Sequence, residues 1–211
     1  MSAAGFWDAL YEGPGYRFGT EPAGLLAASA KLVRPGMKAL ALADGEGRNG
    51  VWLAERGAEV LAVDVSPVAR AKAEALAEAR GVGARYRAVT ADLLCWAWPE
   101  AAFDLVLIAF IAFAPAERRR VHRAALAALR PGGILLLECF SAAQRGRGTG
   151  GPREPEKLYT PQMLRADFAA AAIEHLSEAE IEGPEGAGAV VRLLARRLPF
   201  PDRTDPTGGF G

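Results

Sequence analysis

The sequence has few thiols and no excess of charge. Cys95 and Cys139 are its only cysteines. Two are too few for a disulfide framework and too isolated for a metal site, so we expect small hydrophobic side chains and no metal. The 25 basic and 25 acidic residues balance, which excludes an overall field that would attract nucleic acid or an anionic membrane. A small-molecule partner is therefore expected.

Long apolar runs are also missing. No stretch reaches the roughly 20 residues needed to cross a bilayer, and residues 1–10 lack a basic start followed by an apolar run. We therefore expect a cytoplasmic protein. The 211 residues, 51% of them hydrophobic, can form one substantial core. The prediction is one domain over residues 1–198, then a flexible tail over residues 199–211. The oligomeric state stays open.

The strongest signal lies in residues 38–64. An apolar run over residues 38–43 precedes a glycine turn at residues 44–47, a helix that opens at Arg48, and a second apolar run that ends on Asp64. Short apolar runs separated by a glycine turn and closing on a carboxylate are typical of a nucleoside-binding site in a doubly wound sheet. The pattern therefore predicts a cofactor site at this turn.

The glycine turn fits two cofactors. The three glycines of residues 45–50, with Asp64 about twenty residues on, match the dinucleotide fingerprint, which places a pyrophosphate at the helix N-terminus. Asp44 and Glu46 argue against it, because a carboxylate a few ångströms from a phosphate costs on the order of a kcal/mol or more. S-adenosylmethionine carries a sulfonium and an ammonium against one carboxylate. The acidic turn therefore favours S-adenosylmethionine over a nicotinamide dinucleotide.

Strands and helices alternate through the rest of the chain. Further strands are predicted over residues 84–89, 103–109 and 134–140, and helices over residues 67–80, 115–129 and 161–172. This alternation predicts an α/β fold with a doubly wound, mainly parallel sheet. Residues 173–181 and 187–197 are joined too closely for a parallel crossover, so they form a C-terminal antiparallel hairpin. Together these segments make seven strands and leave no residues for a separate substrate domain.

The N-terminal residues 1–37 are predicted to form a helical cap over the site, with a helix over residues 21–32 that has Pro22 near its start.

Short motifs spread over nearly the whole chain carry a family resemblance. They are Trp7, Asp8, Tyr11, Tyr16, Phe18, Gly19, Glu21, Pro22, Gly45, Glu46, Gly47, Arg48, Asn49, Trp52, Leu53, Ala54, Gly57, Asp64, Ser66, Asp92, Gly150, Gly151, Pro152, Leu158, Tyr159 and Thr160. This set resembles the tellurite-resistance and thiopurine-methyltransferase-like branch of the class I S-adenosylmethionine-dependent methyltransferases. The resemblance implies a Rossmann-like fold and methyl transfer to a small-molecule heteroatom (S, Se, Te or N), with S-adenosylhomocysteine as the product.

Departures from the family pattern affect the expected catalysis. Ala41 and Ala43 stand where many relatives have an acid and a glycine, and Asp44 is a candidate to replace part of that acid's role. Ala112 and Gly186 stand near positions where relatives often carry histidines. The only histidines, His122 and His175, fall in a helix and a strand, where we expect structural roles. A non-catalytic S-adenosylmethionine-binding protein and an NAD(P)-binding oxidoreductase remain alternatives.

The predicted cofactor contacts follow from this pattern. Amides at Gly45 and Gly47 would meet the methionine carboxylate, since glycine leaves the cofactor room. Asp64 would accept hydrogen bonds from both ribose hydroxyls. Asp92 would take the adenine amino group, with a helix cap as its alternative role. The full predicted set is Asp44, Gly45, Glu46, Gly47, Arg48, Asn49, Asp64, Val65, Asp92, Leu93 and Ala109; for Arg48, a solvated surface position is equally open.

The acceptor side is less defined. Candidates to wall it are Trp7, Tyr16, Phe110 and Phe113, with plain core packing as the alternative for Trp7 and Phe113. Residues 141–159 form a long loop predicted to be a mobile lid, in which Arg145 either contacts an anionic substrate or is solvated. Displacement at a sulfonium by a soft nucleophile requires alignment rather than an acid or base, so no catalytic residue is assigned.

Overall fold

The computed structural model describes residues 2–183 and 186–199. Seven strands form one sheet in the order β3-β2-β1-β4-β5-β7-β6. The strands are β1 Lys38–Leu42, β2 Glu59–Asp64, β3 Tyr86–Thr90, β4 Phe103–Ala109, β5 Leu129–Phe140, β6 Ala171–Gly183 and β7 Gly186–Arg197. The helices are α1 Ala3–Tyr11, α2 Gly24–Ala28, α3 Arg48–Glu55, α4 Pro67–Ala79, α5 Pro115–Ala128 and α6 Pro161–Asp167.

The pairing of the strands confirms the predicted sheet. Strands β1 to β5 pair in parallel, whereas β7 runs antiparallel to both β5 and β6. The central strand β1 is covered on both faces: Ala39 and Ala41 belong to one hydrophobic cluster, and Leu40 and Leu42 to the other. Alternate side chains of a strand point to opposite faces, which is why this central strand is apolar at every position after Lys38.

The strand order locates the functional edge. From β1 the chain moves outward through β2 to β3 and then returns to the other side of β1 at β4. Ligands of open α/β sheets bind at such a reversal, beyond the carboxyl ends of the strands. Ala43 (φ 47°) and Phe110 (φ 56°) follow β1 and β4 there with left-handed backbone. Strain of this kind costs about 1–3 kcal/mol in a non-glycine residue and is concentrated at functional sites.

The structure corrects the N-terminal helix predicted over residues 21–32. Only Gly24–Ala28 is α-helical, and a 3₁₀ turn follows at Ala30–Leu32. The Ala23 amide donates to Asn49 Oδ1 (2.8 Å) and the Leu25 amide to Glu138 Oε2 (2.7 Å). Distant side chains therefore set the start of α2, and these tertiary contacts are invisible in local sequence.

The helix predicted over residues 161–172 is also too long. It ends at Asp167, because Ala171 and Ala172 already pair with Arg197 and Arg196 in the sheet. Strand β5 starts at Leu129 rather than at residue 134. It pairs first with Phe103 and then shifts register before Leu105, so the glycines in between did not prevent strand pairing.

The N-terminal segment packs on α4. Asp8 Oδ1 accepts hydrogen bonds from the Ser66 hydroxyl (2.5 Å) and the Val68 amide (3.4 Å), and the Ser66 hydroxyl in turn caps α4 by accepting from the Ala69 amide (3.0 Å). Beyond Pro199, the predicted tail lies outside the described residues. No helix in the described part of the chain has the length and apolar character needed to span a bilayer.

Candidate functional site

Asp44 is buried in the turn after β1. Its carboxylate accepts hydrogen bonds from the Gly50 amide and the Tyr86 hydroxyl, both at 2.9 Å. Gly50 lies in the first turn of α3, so the Asp44 carboxylate satisfies one of the amides that have no partner inside that helix. Burial raises the pKa of Asp44 to about 7, although both hydrogen bonds favour the ionised form. A Cβ at Gly50 would collide with the Asp44 carboxylate and the Tyr86 ring.

Glu46 fastens the N-terminal segment to the site. Its Oε2 accepts from the Arg17 amide (2.6 Å), and its Oε1 pairs with Lys72 Nζ (2.9 Å). The same ammonium donates to the carbonyls of Gly13 (2.7 Å) and Gly15 (2.8 Å). Glu46 therefore holds residues 13–17 against α4, and its charge is balanced by a lysine.

Asp64 lies at the carboxyl end of β2, where the sequence predicted a ribose ligand. Its Oδ2 accepts from the Gly45 amide and its Oδ1 from the Ser66 amide, both at 2.8 Å. Burial raises the pKa of this carboxyl above its usual range, and nearby Asp8 adds to the rise, whereas the amide hydrogen bonds oppose it. Each carboxylate oxygen keeps a further lone pair. A rigidly held acceptor of this kind fits a sugar diol.

Gly45 and Gly47 have hydrogen-bond partners and close packing contacts within the protein itself. The Gly45 amide is bound to Asp64, and the Gly47 amide donates to the Asp44 carbonyl (3.1 Å). The prediction that these two amides bind a carboxylate does not match their partners. Both residues have left-handed backbone, with φ of 57° and 91°. A Cβ would lie 2.8 Å from the Tyr11 hydroxyl at Gly45 and 2.8 Å from the Ala73 Cβ at Gly47.

Arg48 lies inside the site rather than in solvent. Its guanidinium stands over the Phe110 ring, 5.2 Å from the centroid, and Nη1 donates to the Phe18 carbonyl (3.4 Å). Burial lowers the pKa of Arg48, while the charges of Glu138 and Asp44 oppose that shift. Phe110 also packs against Phe140, with ring centroids 5.1 Å apart. Arg48, predicted for the cofactor side, and Phe110, predicted for the acceptor side, thus meet each other and a second aromatic ring at the ends of β4 and β5.

Several predicted cofactor residues bond within the protein. Asn49 Oδ1 holds the Ala23 amide, and Asp92 Oδ1 accepts from the Leu94 amide (2.8 Å), which is the capping role weighed as its alternative. Leu93 is buried in the cluster beneath α5. Val65 is half-buried directly after Asp64, and Ala109 is buried at the end of β4.

The predicted acceptor-side aromatics do not all gather at one place. Trp7 stacks on Tyr11, with ring centroids 5.7 Å apart. Tyr16 lies on α4, where its hydroxyl donates to the Lys72 carbonyl (3.4 Å). Phe113 packs into the hydrophobic cluster on the α5 face of the sheet. Of this set, only Phe110 contacts the Arg48 guanidinium.

The loop after β5 is tied down rather than free. The Gln144 amide group is buried, and its Nε2 donates to the Thr149 hydroxyl and the Gly150 carbonyl, both at 3.0 Å. Its Oε1 accepts from the Ala189 amide (2.7 Å), which links the loop to β7. Arg147 pairs with Glu180 (2.8 Å). These bonds fasten the middle of the loop to itself and to the hairpin, whereas Arg145 is exposed, and the mobile lid stays a prediction.

Glu138 was missed by the sequence reasoning. It is 1% exposed, and its carboxylate accepts from the Gly24 amide (3.2 Å), the Leu25 amide (2.7 Å) and Arg192 Nε (2.6 Å). A carboxylate at the start of α2 stabilises that helix through its unsatisfied amides and dipole. The available signal was a single charge inside the otherwise apolar run of β5.

Both histidines have structural partners, as predicted. His122 is buried, its Nδ1 lies 2.9 Å from Asp167 Oδ2, and its ring stacks on Phe168 with centroids 4.8 Å apart. Burial lowers the pKa of His122 despite the opposing effect of Asp167. His175 Nε2 lies 2.8 Å from the Ser177 hydroxyl on β6. Neither imidazole is a candidate base at the carboxyl ends of β1 and β4.

Comparison with known proteins agrees with this geometry. Residues 39–133 match the family described as "Methyltransferase domain". Over 122 residues the chain is 35% identical to a demethylmenaquinone methyltransferase of Thermus thermophilus, covering 57% of this chain and 54% of that protein. The chain thus spans about half the length of the curated relative it matches.

Two solved structures show the same fold. One, reported for the conversion of a disulfide bond into a thioacetal group during echinomycin biosynthesis, has a TM-score of 0.75 at 24% identity and covers 93% of both chains. The other, TehB from Haemophilus influenzae, has a TM-score of 0.69 at 16% identity and covers 92% of this chain and 66% of its own. Residues 39–133 are therefore similar to a methyltransferase domain, and the two solved structures share the fold of nearly the whole chain.

Proposed function

We propose that the protein transfers the methyl group of S-adenosylmethionine to a heteroatom, S, Se, Te or N, of a small molecule. The observation that carries this proposal is the contrast between two neighbouring regions. The turn after β1 is lined by carboxylates, whereas the ends of β4 and β5 present the aromatic rings of Phe110 and Phe140. The first region suits a net cation, and the second suits an acceptor with an apolar body.

Asp64 is the proposed ribose ligand, supported by its fixed position and its remaining lone pairs. Asp8, Asp44 and Asp64 bring acidic groups to the same turn, with Arg48 as the adjacent cation. Arg48 is therefore the proposed partner of the cofactor's carboxylate, since the Gly45 and Gly47 amides are engaged. The bound cofactor supplies a methyl group already activated on a sulfonium.

Glu138, Tyr11 and Cys139 are not available as bases on the acceptor side. Glu138 is held by Arg192 and two amides. Burial raises the pKa of Tyr11, and that of Cys139 to about 12, so both stay protonated near neutral pH. Alignment alone can supply about 7–11 kcal/mol of such a barrier. An acceptor whose nucleophile is already unprotonated, such as a thiolate, selenide or neutral amine, is consistent with this lack of a base.

The Asp64 assignment is tested with a ligand pair. Wild type and Asp64→Ala are titrated by calorimetry with S-adenosylhomocysteine and with its 2′-deoxy analogue. If Asp64 holds the diol, wild type prefers the ribose form by about 10- to 100-fold and the variant loses that preference. Asp64 also supports the turn, so a general loss of affinity alone would not establish the contact. A variant that keeps the full ribose preference would refute it.

The reaction is tested by product formation. Thiol, selenide, tellurite and amine acceptors are each incubated with S-adenosylmethionine, and S-adenosylhomocysteine release is measured against a no-acceptor control. Turnover with any of them excludes the non-catalytic alternative. Tight S-adenosylhomocysteine binding with no turnover across the panel favours a binding protein, and a shift of NADH fluorescence on binding would favour the oxidoreductase.

A further inference from the structure

A groove at the opposite edge of the sheet carries a concentration of arginine. It lies at the amino ends of β1, β4 and β5, has a volume of about 490 Å³, and is lined by residues 34–37, Asp104, residues 130–134 and Arg196. Strand β1 has five residues, so this edge lies roughly 16 Å from the cofactor turn. The groove therefore forms no part of the site described above.

Two of its walls repeat one short sequence. Arg34-Pro35-Gly36 precedes β1, and Arg130-Pro131-Gly132 opens β5. Gly36 and Gly132 both have left-handed backbone, with φ of 80° and 77°, and a Cβ at either would meet nothing within 4 Å. Proline fixes the backbone ahead of each glycine. Each turn thus contributes one arginine to the lining of the groove, two residues before an uncrowded glycine.

The third arginine of the groove is Arg196, which lies on β7 of the C-terminal hairpin. Arg196 is paired with Ile134 in the β5–β7 register. Its Nη1 donates to the Gly132 carbonyl (3.2 Å), and its Nε pairs with Glu174 (2.6 Å). These contacts place the guanidinium over the second Arg-Pro-Gly turn.

The charges in the groove do not cancel. Three guanidinium groups line it with one carboxylate, Asp104, and a second carboxylate, Glu174, pairs with Arg196 from outside the lining, which leaves one positive charge in excess. The Asp104 carboxylate is already shared between Arg130 Nη1 (2.8 Å) and the Lys38 amide (2.8 Å). The Arg34 guanidinium has no ion pair or hydrogen bond within residues 2–183 and 186–199. The whole chain is neutral, so this edge is a local cationic surface with unused N–H donors.

We propose that this groove binds a compact polyvalent oxyanion of the diphosphate type. Guanidinium groups recognise phosphate oxygens through paired, charge-assisted hydrogen bonds. Arg130 and Arg196 are already oriented by Asp104, Glu174 and the Gly132 carbonyl, which lowers the cost of ordering them on binding. Arg34 supplies the third contact from the facing turn. The volume is within the range of small-ligand sites.

Pyrophosphate is the probe, titrated by calorimetry into the full chain at low ionic strength. Arg34→Gln and Arg196→Gln should each weaken its binding by about 10-fold or more. Both arginines are largely at the surface and their ion pairs add little stability, so the variants should fold. Arg119→Gln changes the net charge equally at an exposed position on α5 and should leave affinity unchanged.

Three outcomes overturn the proposal: no pyrophosphate binding to wild type, equal weakening by Arg119→Gln, or retained affinity in both groove variants. Citrate is run in parallel, and tighter binding of citrate than of pyrophosphate overturns the diphosphate assignment. S-adenosylhomocysteine affinity should be the same in all variants, since the groove is remote from the cofactor turn. This test does not depend on the proposed methyl transfer.

Discussion

The buried carboxyl of Asp44 should make stability fall as the pH rises. Its pKa is about 7 in the folded protein against an ordinary value of 3.8, with burial as the main cause. Because the folded state holds this proton more tightly than the unfolded state does, the contribution of Asp44 to the free energy of unfolding is fully present below about pH 4. That contribution is lost as the pH rises through about 7. Asp44→Asn removes the titration while keeping an acceptor for the Gly50 amide.

The size of the effect follows from the two pKa values. The unfolded carboxyl ionises above about pH 4, whereas the folded one stays largely protonated until about pH 7. The resulting penalty on the free energy of unfolding of the wild type is about 2 kcal/mol at pH 5 and about 4 kcal/mol at pH 8. The free energy of unfolding of Asp44→Asn should therefore rise relative to that of the wild type by roughly 2 kcal/mol across that interval.

Urea unfolding of both proteins from pH 5 to pH 8 measures this difference, because other titrating groups are common to the two chains. Tyr86→Phe is the control: it removes a hydrogen bond that favours the ionised form, so the pH window should move upward. A stability difference between wild type and Asp44→Asn that is independent of pH would refute the reasoning. It would mean that Asp44 ionises normally in the folded protein.

Two further comparisons, one at Glu138 and one at Gly47, test the supports of the site by urea unfolding. Glu138→Gln should lower the free energy of unfolding by about 3 kcal/mol, because it leaves Arg192 beside a neutral group at the start of α2. The double variant Glu138→Gln, Arg192→Met should recover part of that loss. No recovery would contradict the pairing argument. Gly81→Ala should cost about 1 kcal/mol for its left-handed backbone alone. Gly47→Ala should cost clearly more because of the contact with Ala73, and equal losses would show that packing at Gly47 is unimportant.

The succession of strands and helices along the chain was predictable because its signals are local. Buried strands appear in the sequence as continuous apolar runs. Ser66 before Pro67 indicates the start of α4, and in the structure Ser66 caps that helix. The start of α2 and the end of α6 were not predictable in this way. Glu138 and Asn49 fix the first, and pairing of Ala171 with Arg197 fixes the second. Both depend on residues far away in the sequence.

In the candidate site, too, local sequence predicted the positions of residues but not their partners. The sequence predicted that Asp64, Arg48 and Phe110 lie at the carboxyl edge of the sheet, and the structure has them at that edge. The sequence could not show which way each side chain faces. Asn49 and Glu46 carry polar groups in the motif, yet they bind the N-terminal segment. Gln144 stands in a loop that reads as flexible, although its buried amide ties that loop to β7.

The choice between the two cofactors rests finally on the amides of the turn. A dinucleotide fingerprint works because glycine amides at the helix N-terminus are free to bind pyrophosphate. Here the amides of Gly45, Gly47 and Gly50 donate to Asp64, the Asp44 carbonyl and the Asp44 carboxylate. A phosphate at this position would have to displace carboxylates from those donors and then stand beside them. A sulfonium nucleoside needs none of the three amides, since its sugar can bind a carboxylate and its positive charge is attracted by the same acidic groups. The glycine pattern that the two classes of protein share therefore has different partners in this chain, because Asp44 before the glycines and Asp64 after them occupy its amides.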